Sequence, residues 1–214
     1  MTEERVIETI FFDLGRVIID FDHLRIAKQL LGKAVRKTDV PPEVLFEWLF
    51  DPTQGACSAF DRGQISGEDF FSRICSTYGL ELNFDEFSRI WNENFKEIPE
   101  VSRLIKQLAS KYPLYLISNT NSLHFDYIVE RFPVLKYFQS YILSYREGLC
   151  KPDPELYRTA VTRARTQASR SVYIDDIAPF VHAARELGFH GIHFTSPGQL
   201  ENRLATLLPF KFSP

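Results

Sequence analysis

The 214-residue chain has no run approaching the ~20 consecutive apolar residues that a membrane span requires. Its opening segment, MTEERVIETI, is acidic and lacks the apolar middle of a secretory signal, so neither membrane insertion nor export is expected. Cysteine is scarce. Cys57, Cys75 and Cys150 are odd in number and irregular in spacing, which fits neither a disulfide framework nor a zinc site; they read as reduced thiols of a cytoplasmic protein. Charge of either sign is not in excess. The 25 Lys and Arg against 28 Asp and Glu leave a net charge of -3, which gives no reason to expect a nucleic-acid or anionic-membrane partner. Internal repeats and low-complexity linkers are absent, and no pattern specifies an oligomeric state.

What is present is apolar bulk. Hydrophobic residues make up 44% of the chain and include 19 Phe, enough for a substantial core and for an apolar pocket. The β-branched and aromatic run VIETIFF, residues 6–12, predicts a first strand. Residues 19–97 then read as helical. Pro41–Pro42 opens EVLFEWLF, while Ser66 with Asp69 and Asn83 with Glu86 fit capping boxes for the two helices that follow them. No strand run of quality stands out in this block. After Pro99, helix EVSRLIKQLASKY, strand PLYLIS, helix NSLHFDYIVERF, strand SYILSY, segment KPDPELYRTAVTRA (helical after its prolines), strand SVYID, helix PFVHAARELG, strand GIHF and helix PGQLENRLATLL follow in turn. Such alternation predicts an α/β fold: a Rossmann-like parallel sheet flanked by helices, built from residues 1–18 and 98–214, with residues 19–97 inserted as a helical cap.

In open α/β sheets the ligand site lies at the carboxyl ends of the strands. The polar residues that follow the predicted strands are Asp13 with Gly15 behind it, then Ser118, Asn119 and Thr120, then Asp175 and Asp176; Lys151 lies just past SYILSYREGLC. Three carboxylates gathered together repel one another and want a cation, and oxygen ligands suit Mg²⁺. Mg²⁺ and Lys151 would together attract a phosphate. Ser118, with backbone N–H groups near a helix start at residues 119–121, could hold further phosphate oxygens. One carboxylate could then attack phosphorus and form an aspartyl-phosphate. Singly, each residue also has an ordinary structural role as a turn, cap or loop group.

The segments FFDLGRVIID, LISNTN, CKPDPELY and VYIDDIAPFVHAARELG, in that order, resemble the four motifs of the haloacid dehalogenase superfamily of aspartyl-nucleophile hydrolases. DLGRVIIDFD, SNTNSLH and LCKPDPELY are most similar to its subgroup of bacterial α-glucose-1-phosphatase and the phosphatase domain of epoxide hydrolases. The resemblance implies a Mg²⁺-dependent phosphatase acting on a small phosphorylated metabolite, a sugar phosphate being one such ester. It implies Asp13 as nucleophile and metal ligand, and a metal-directed backbone carbonyl from Gly15. Ser118 and Asn119 would be the phosphate-contacting pair and Lys151 the lysine steadying nucleophile and phosphate. Asp176 would be an inner-sphere metal ligand, with Asp175 as its neighbour.

The sequence departs from the family pattern at position 15, where most of these phosphatases carry an acid that protonates the leaving alcohol; here it is Gly15. Arg16, Cys150 and Phe180 are further departures. General acid–base help is worth about 10²–10⁴-fold, so Gly15 predicts a slower or more selective phosphatase with an intrinsically good leaving group. His124, Asp20 and Asp22 are candidate substitute acids. Two other functions remain compatible: hydrolytic dehalogenation, which needs no leaving-group proton, and non-catalytic binding of a phospho-ligand or partner. Phe46, Trp48, Phe70, Phe71 and Trp91 are candidate site-facing residues of the cap.

Overall fold

The computed structural model describes residues 6–35, 40–51, 55–209 and 212. Residues 1–5 of the expected core and 36–39 and 52–54 of the expected cap lie outside the described residues. In chain order the elements begin with strands β1 (Thr9–Phe12) and β2 (Ile19–Asp20). Five helices follow: α1 (His23–Leu31), α2 (Pro42–Phe50), α3 (Cys57–Asp61), α4 (Gly67–Tyr78) and α5 (Phe84–Asn92). Then come β3 (Lys96–Glu97), α6 (Pro99–Leu108), β4 (Leu114–Ser118), α7 (Ser122–Arg131), β5 (Ser140–Leu143), α8 (Ser144–Glu147) and α9 (Pro154–Ala164). The chain ends with β6 (Ser171–Asp175), α10 (Ala178–Glu186), β7 (His190–His193) and α11 (Pro197–Leu207).

Five strands form a parallel sheet in the order β5-β4-β1-β6-β7. All four residues of β1 are buried, as a central strand covered on both faces requires. Alternation divides them. Ile10 and Phe12 join a core with Leu104 of α6, Phe125 of α7 and Leu204 of α11, while Phe11 joins Tyr157 of α9, Tyr173 and Ala184 of α10 on the opposite face. The chain leaves β1 toward neighbours on either side, so the carboxyl ends of β1, β4 and β6 open a crevice at a topological switch point.

Three expectations need correction. The first strand starts at Thr9, not at residue 6, because its partner β6 begins only at Ser171, after a 3-10 turn over Ala168–Arg170. The run SYILSY stays extended only to Leu143; Ser144 turns into α8, and its hydroxyl donates to the Thr120 carbonyl and accepts from the Thr120 N–H, both at 2.9 Å. The block read as strand-free is flanked by an antiparallel ribbon in which Ile19 faces Glu97 and Asp20 faces Lys96. Two-residue strands are too short to leave a period in sequence.

Helices α1 to α5 bury their apolar faces on one another around Phe60, Phe70, Phe87 and Trp91. Ser66 and Asn83 cap α4 and α5 in full capping boxes. This layer sits against the sheet-bearing part: Gly63, at φ 66°, lets the backbone come so near the Tyr145 carbonyl that a Cβ there would collide with it.

Candidate active site

Asp13 follows the last residue of β1, and its N–H is held by the Ile174 carbonyl of the neighbouring strand at 2.8 Å. Its side chain is buried beside Lys151, whose Nζ donates to Asp13 Oδ1 at 2.6 Å and to Asp175 Oδ2 at 2.7 Å. Sequence alone would place a lysine before a proline in an exposed loop. Instead Lys151 is 4% exposed. Asn119 anchors it: Oδ1 accepts from the Lys151 N–H at 2.8 Å and Nδ2 donates to the Lys151 carbonyl at 3.1 Å. The Asn119 amide thus clamps the lysine backbone, alongside any direct contact with a phosphate. Phe180 packs under the ammonium, 5.2 Å from its ring centroid.

Asp175 is fully buried, and each of its oxygens is engaged. Oδ1 accepts from the Ile177 N–H at 2.8 Å; Oδ2 accepts from Lys151 and from the Tyr173 hydroxyl. Tyr173 was not singled out in the sequence, although its place two residues before Asp175 puts both on one face of β6. Asp176 is half-buried, and its carbonyl accepts from the His193 ring at 2.9 Å. Carboxylate oxygens of Asp13, Asp175 and Asp176 lie within 4.8 Å of one another. Burial pushes the Asp13 carboxyl up to about 7; Lys151 opposes the rise, while Asp175 and Asp176 add to it. Asp176 is raised by burial and then by Asp175. Burial would lower Lys151, but the two carboxylates together outweigh it and hold the ammonium charged.

Asp13, Lys151 and Asp176 form the floor of a cavity of about 220 Å³, which Gly15, Ser118, Asn119 and Thr120 also line. Of the backbone N–H groups expected to meet phosphate, that of Thr120 is spent on Ser144, and α7 begins at Ser122 with Asn121 as its cap. The Asn121 amide also reaches the α3 residue Asp61 at 3.0 Å. Burial raises Asp61 to about 6, with the Asn121 bond opposing.

The expected substitute acids are placed as follows. His124 lines the cavity, but Nε2 lies 3.3 Å from the Trp91 carbonyl and Nδ1 3.4 Å from Asn121 Nδ2. That pairing assigns the proton to Nε2 and leaves neither nitrogen free. Burial, with His23 next, holds its pKa well below the usual value, so the ring is neutral. Asp20 accepts from the Phe21 N–H, Asp22 caps α1, and neither lines the cavity. The cap aromatics expected to face the site do not line it either. Phe21, His23 and Phe95 do, from the two ends of the inserted segment, and no spacing in the sequence marked them.

Residues 58–193 match the model of the haloacid dehalogenase-like hydrolase family. A D-ribitol-5-phosphate phosphatase of Bacteroides thetaiotaomicron is 26% identical over 192 residues, covering 86% of this chain and 90% of that protein. A sesquiterpene phosphatase of Aspergillus oryzae is 25% identical over 140 residues, covering 64% and 70%. Among solved structures, an enzyme of the same family from Bacteroides thetaiotaomicron, in complex with magnesium and inorganic phosphate, superposes with a TM-score of 0.76 at 25% identity. The match covers 87% of this chain and 93% of that one.

Proposed function

The chain belongs to the haloacid dehalogenase-like hydrolase family, and from that membership and its site geometry we propose that it is a Mg²⁺-dependent phosphatase of a small phosphorylated metabolite, working through an aspartyl-phosphate on Asp13. The observation that carries this reading is the buried Asp13–Lys151 pair, 2.6 Å apart, on the floor of a cavity with two further carboxylates. Relatives named as phosphatases and a neighbour crystallised with magnesium and phosphate support it.

The donor set fits the ion. Three carboxylates against one ammonium leave an excess of negative charge in a buried place, and every donor is oxygen. Lys151 occupies Oδ1 of Asp13, and both oxygens of Asp175 already accept from protein donors. Asp13 Oδ2, the Asp176 carboxylate and the Gly15 carbonyl would therefore hold Mg²⁺, with Asp175 fixing Lys151. Bound there, Mg²⁺ supplies positive charge to the phosphoryl oxygens.

The protein's own residues supply the rest. Asp13 attacks phosphorus as the carboxylate, the form that Lys151 favours against the effect of burial, while Lys151 and the Ser118 hydroxyl meet the phosphoryl oxygens. Asn119 holds Lys151 in place. With Gly15 in the acid's position, the leaving group departs without a proton, so the ester is one with a good leaving group: a sugar 1-phosphate or an aryl phosphate. Water then releases phosphate from Asp13. Residues 19–97 act as a cap over the cavity, and the three free cysteines fit a cytoplasmic setting.

Turnover of para-nitrophenyl phosphate with Mg²⁺ tests this reading. It should disappear with EDTA and in Asp13→Asn. Turnover surviving EDTA would rule out the Mg²⁺ requirement; turnover surviving Asp13→Asn would rule out the aspartyl nucleophile.

A further inference from the structure

The cavity has two unlike ends. The floor carries Asp13, Ser118, Lys151 and Asp176; the walls beyond it are Ile19, Phe21, Phe95, Ile128, Ile177 and Phe180. Three other side chains at this end have polar atoms: His124, His23 and Arg16. Both nitrogens of His124 are engaged inside the protein. His23 lies flat between Phe21 and Phe50, 4.1 Å from each ring centroid, and is kept neutral by burial and by Arg16. The Arg16 guanidinium covers Phe21 at 4.9 Å.

Resting on the phosphatase reading, we propose that the substrate is an aryl phosphate, whose leaving group is a compact aromatic alcohol rather than a sugar or polyol. Two independent features require it. A polyol would bury several hydroxyls against these walls, and each one left unpartnered costs roughly tenfold or more in binding. An aromatic ring instead meets ring faces and aliphatic edges, and 220 Å³ is a space for one ring and its phosphate, below the roughly 300–1,000 Å³ of drug-sized sites.

The second feature is the missing proton donor. A side chain at position 15 would meet Phe21, and His124, Asp20 and Asp22 are placed elsewhere or spent. The alcohol must therefore leave as its anion. Phenols ionise near pH 10, as tyrosine does; alkyl and sugar hydroxyls are weaker acids. As an Asp13 oxygen bonds to phosphorus, the P–O(aryl) bond breaks, its electron pair stays on the aryl oxygen, and the aryloxide takes a proton from water. A second water then attacks the aspartyl-phosphate, returning the Asp13 carboxylate, inorganic phosphate and a proton, which neutralises the hydroxide left by the first water. Arg16 in the same wall offers the departing anion a cation.

The test compares kcat/KM with Mg²⁺ for phenyl phosphate, benzyl phosphate, glucose-1-phosphate and ribitol-5-phosphate, and Ki for phenylphosphonate against methylphosphonate. Phenyl phosphate should exceed each of the others by at least about tenfold. Phenylphosphonate should bind about tenfold more tightly than methylphosphonate, a difference independent of leaving-group reactivity. Phe95→Leu, with Phe95→Ala beside it, should narrow that gap and raise KM for phenyl phosphate more than it lowers kcat. Equal Ki values, or either sugar ester or benzyl phosphate matching phenyl phosphate, would overturn the proposal while leaving the phosphatase reading intact. If none of these esters nor acetyl phosphate is hydrolysed, the phosphatase reading falls and this proposal with it.

Discussion

The ring of Phe21 fills the space that a side chain at position 15 would need: a Cβ built on Gly15 would lie 2.9 Å from Phe21 Cε1. The ring is not free to swing away, because His23 stacks on one face at 4.1 Å and Phe95 meets it edge-on at 6.2 Å. Gly15 and Phe21 thus act as one unit.

Restoring the acid alone should therefore fail. Gly15→Asp is expected to lose about 1–3 kcal/mol of stability through overpacking and to gain no activity on alkyl phosphates. Gly15→Asp with Phe21→Ala removes the clash and should flatten the dependence of kcat/KM on leaving-group pKa. A series of substituted phenyl and alkyl phosphates reads this slope directly.

Lys151 should be indispensable for both structure and chemistry. Lys151→Ala leaves Asp13 and Asp175 buried without their cation. A loss of about 3–5 kcal/mol is expected in urea unfolding without metal. Added Mg²⁺ should recover part of the stability but not the activity, since the ammonium proposed to meet the phosphoryl oxygens is gone.

Metal binding should strengthen with pH. Asp13 has a folded-state pKa raised to about 7 against an ordinary value of 3.8, so without metal its contribution to stability is present below about pH 4 and is lost as pH rises through 7. Mg²⁺ takes the deprotonated form. The increase in Tm on adding Mg²⁺ should therefore be larger at pH 8 than at pH 6. An equal increase at both pH values would show that Asp13 is not a ligand.

Asp61 should behave as a buried acid joining α3 to the cap of α7. Its pKa is raised to about 6, so its contribution is lost as pH climbs through that value. Asp61→Asn keeps an acceptor for Asn121 without the charge. The Tm of the variant relative to the parent should rise between pH 5 and pH 8.

His124→Ala should lower kcat/KM by loosening the cavity wall, where the ring stacks on Trp91 at 4.9 Å. The shape of the pH–rate profile should stay the same, because the ring is neutral and both nitrogens are engaged. A lost basic limb in the variant would reinstate His124 as the proton donor.

The sheet, the order of its helices and the family were legible because each rests on local pattern. VIETIFF, PLYLIS and SVYID carry apolar runs long enough to read, and Ser66–Asp69 and Asn83–Glu86 mark helix starts within four residues. The floor of the site was legible for the same reason: chemically demanding residues follow strand ends, and parallel strands share one carboxyl edge. Hidden from sequence were the β2–β3 ribbon, too short for any period, and the walls of the cavity. Phe46, Trp48, Phe70, Phe71 and Trp91 looked as suitable as Phe21, His23 and Phe95.

By itself the sequence determined a parallel α/β core and the groups gathered at its carboxyl edge, because strand period and strand-end chemistry are properties of a few adjacent residues. Only the tertiary structure decided that Asn119 clamps Lys151, that His124 is spent on Trp91 and Asn121, and that Phe21 fills the place beside Gly15. Each of these is a contact between distant segments, fixed by how the inserted helices pack against the sheet-bearing layer, and packing has no local signature in the chain.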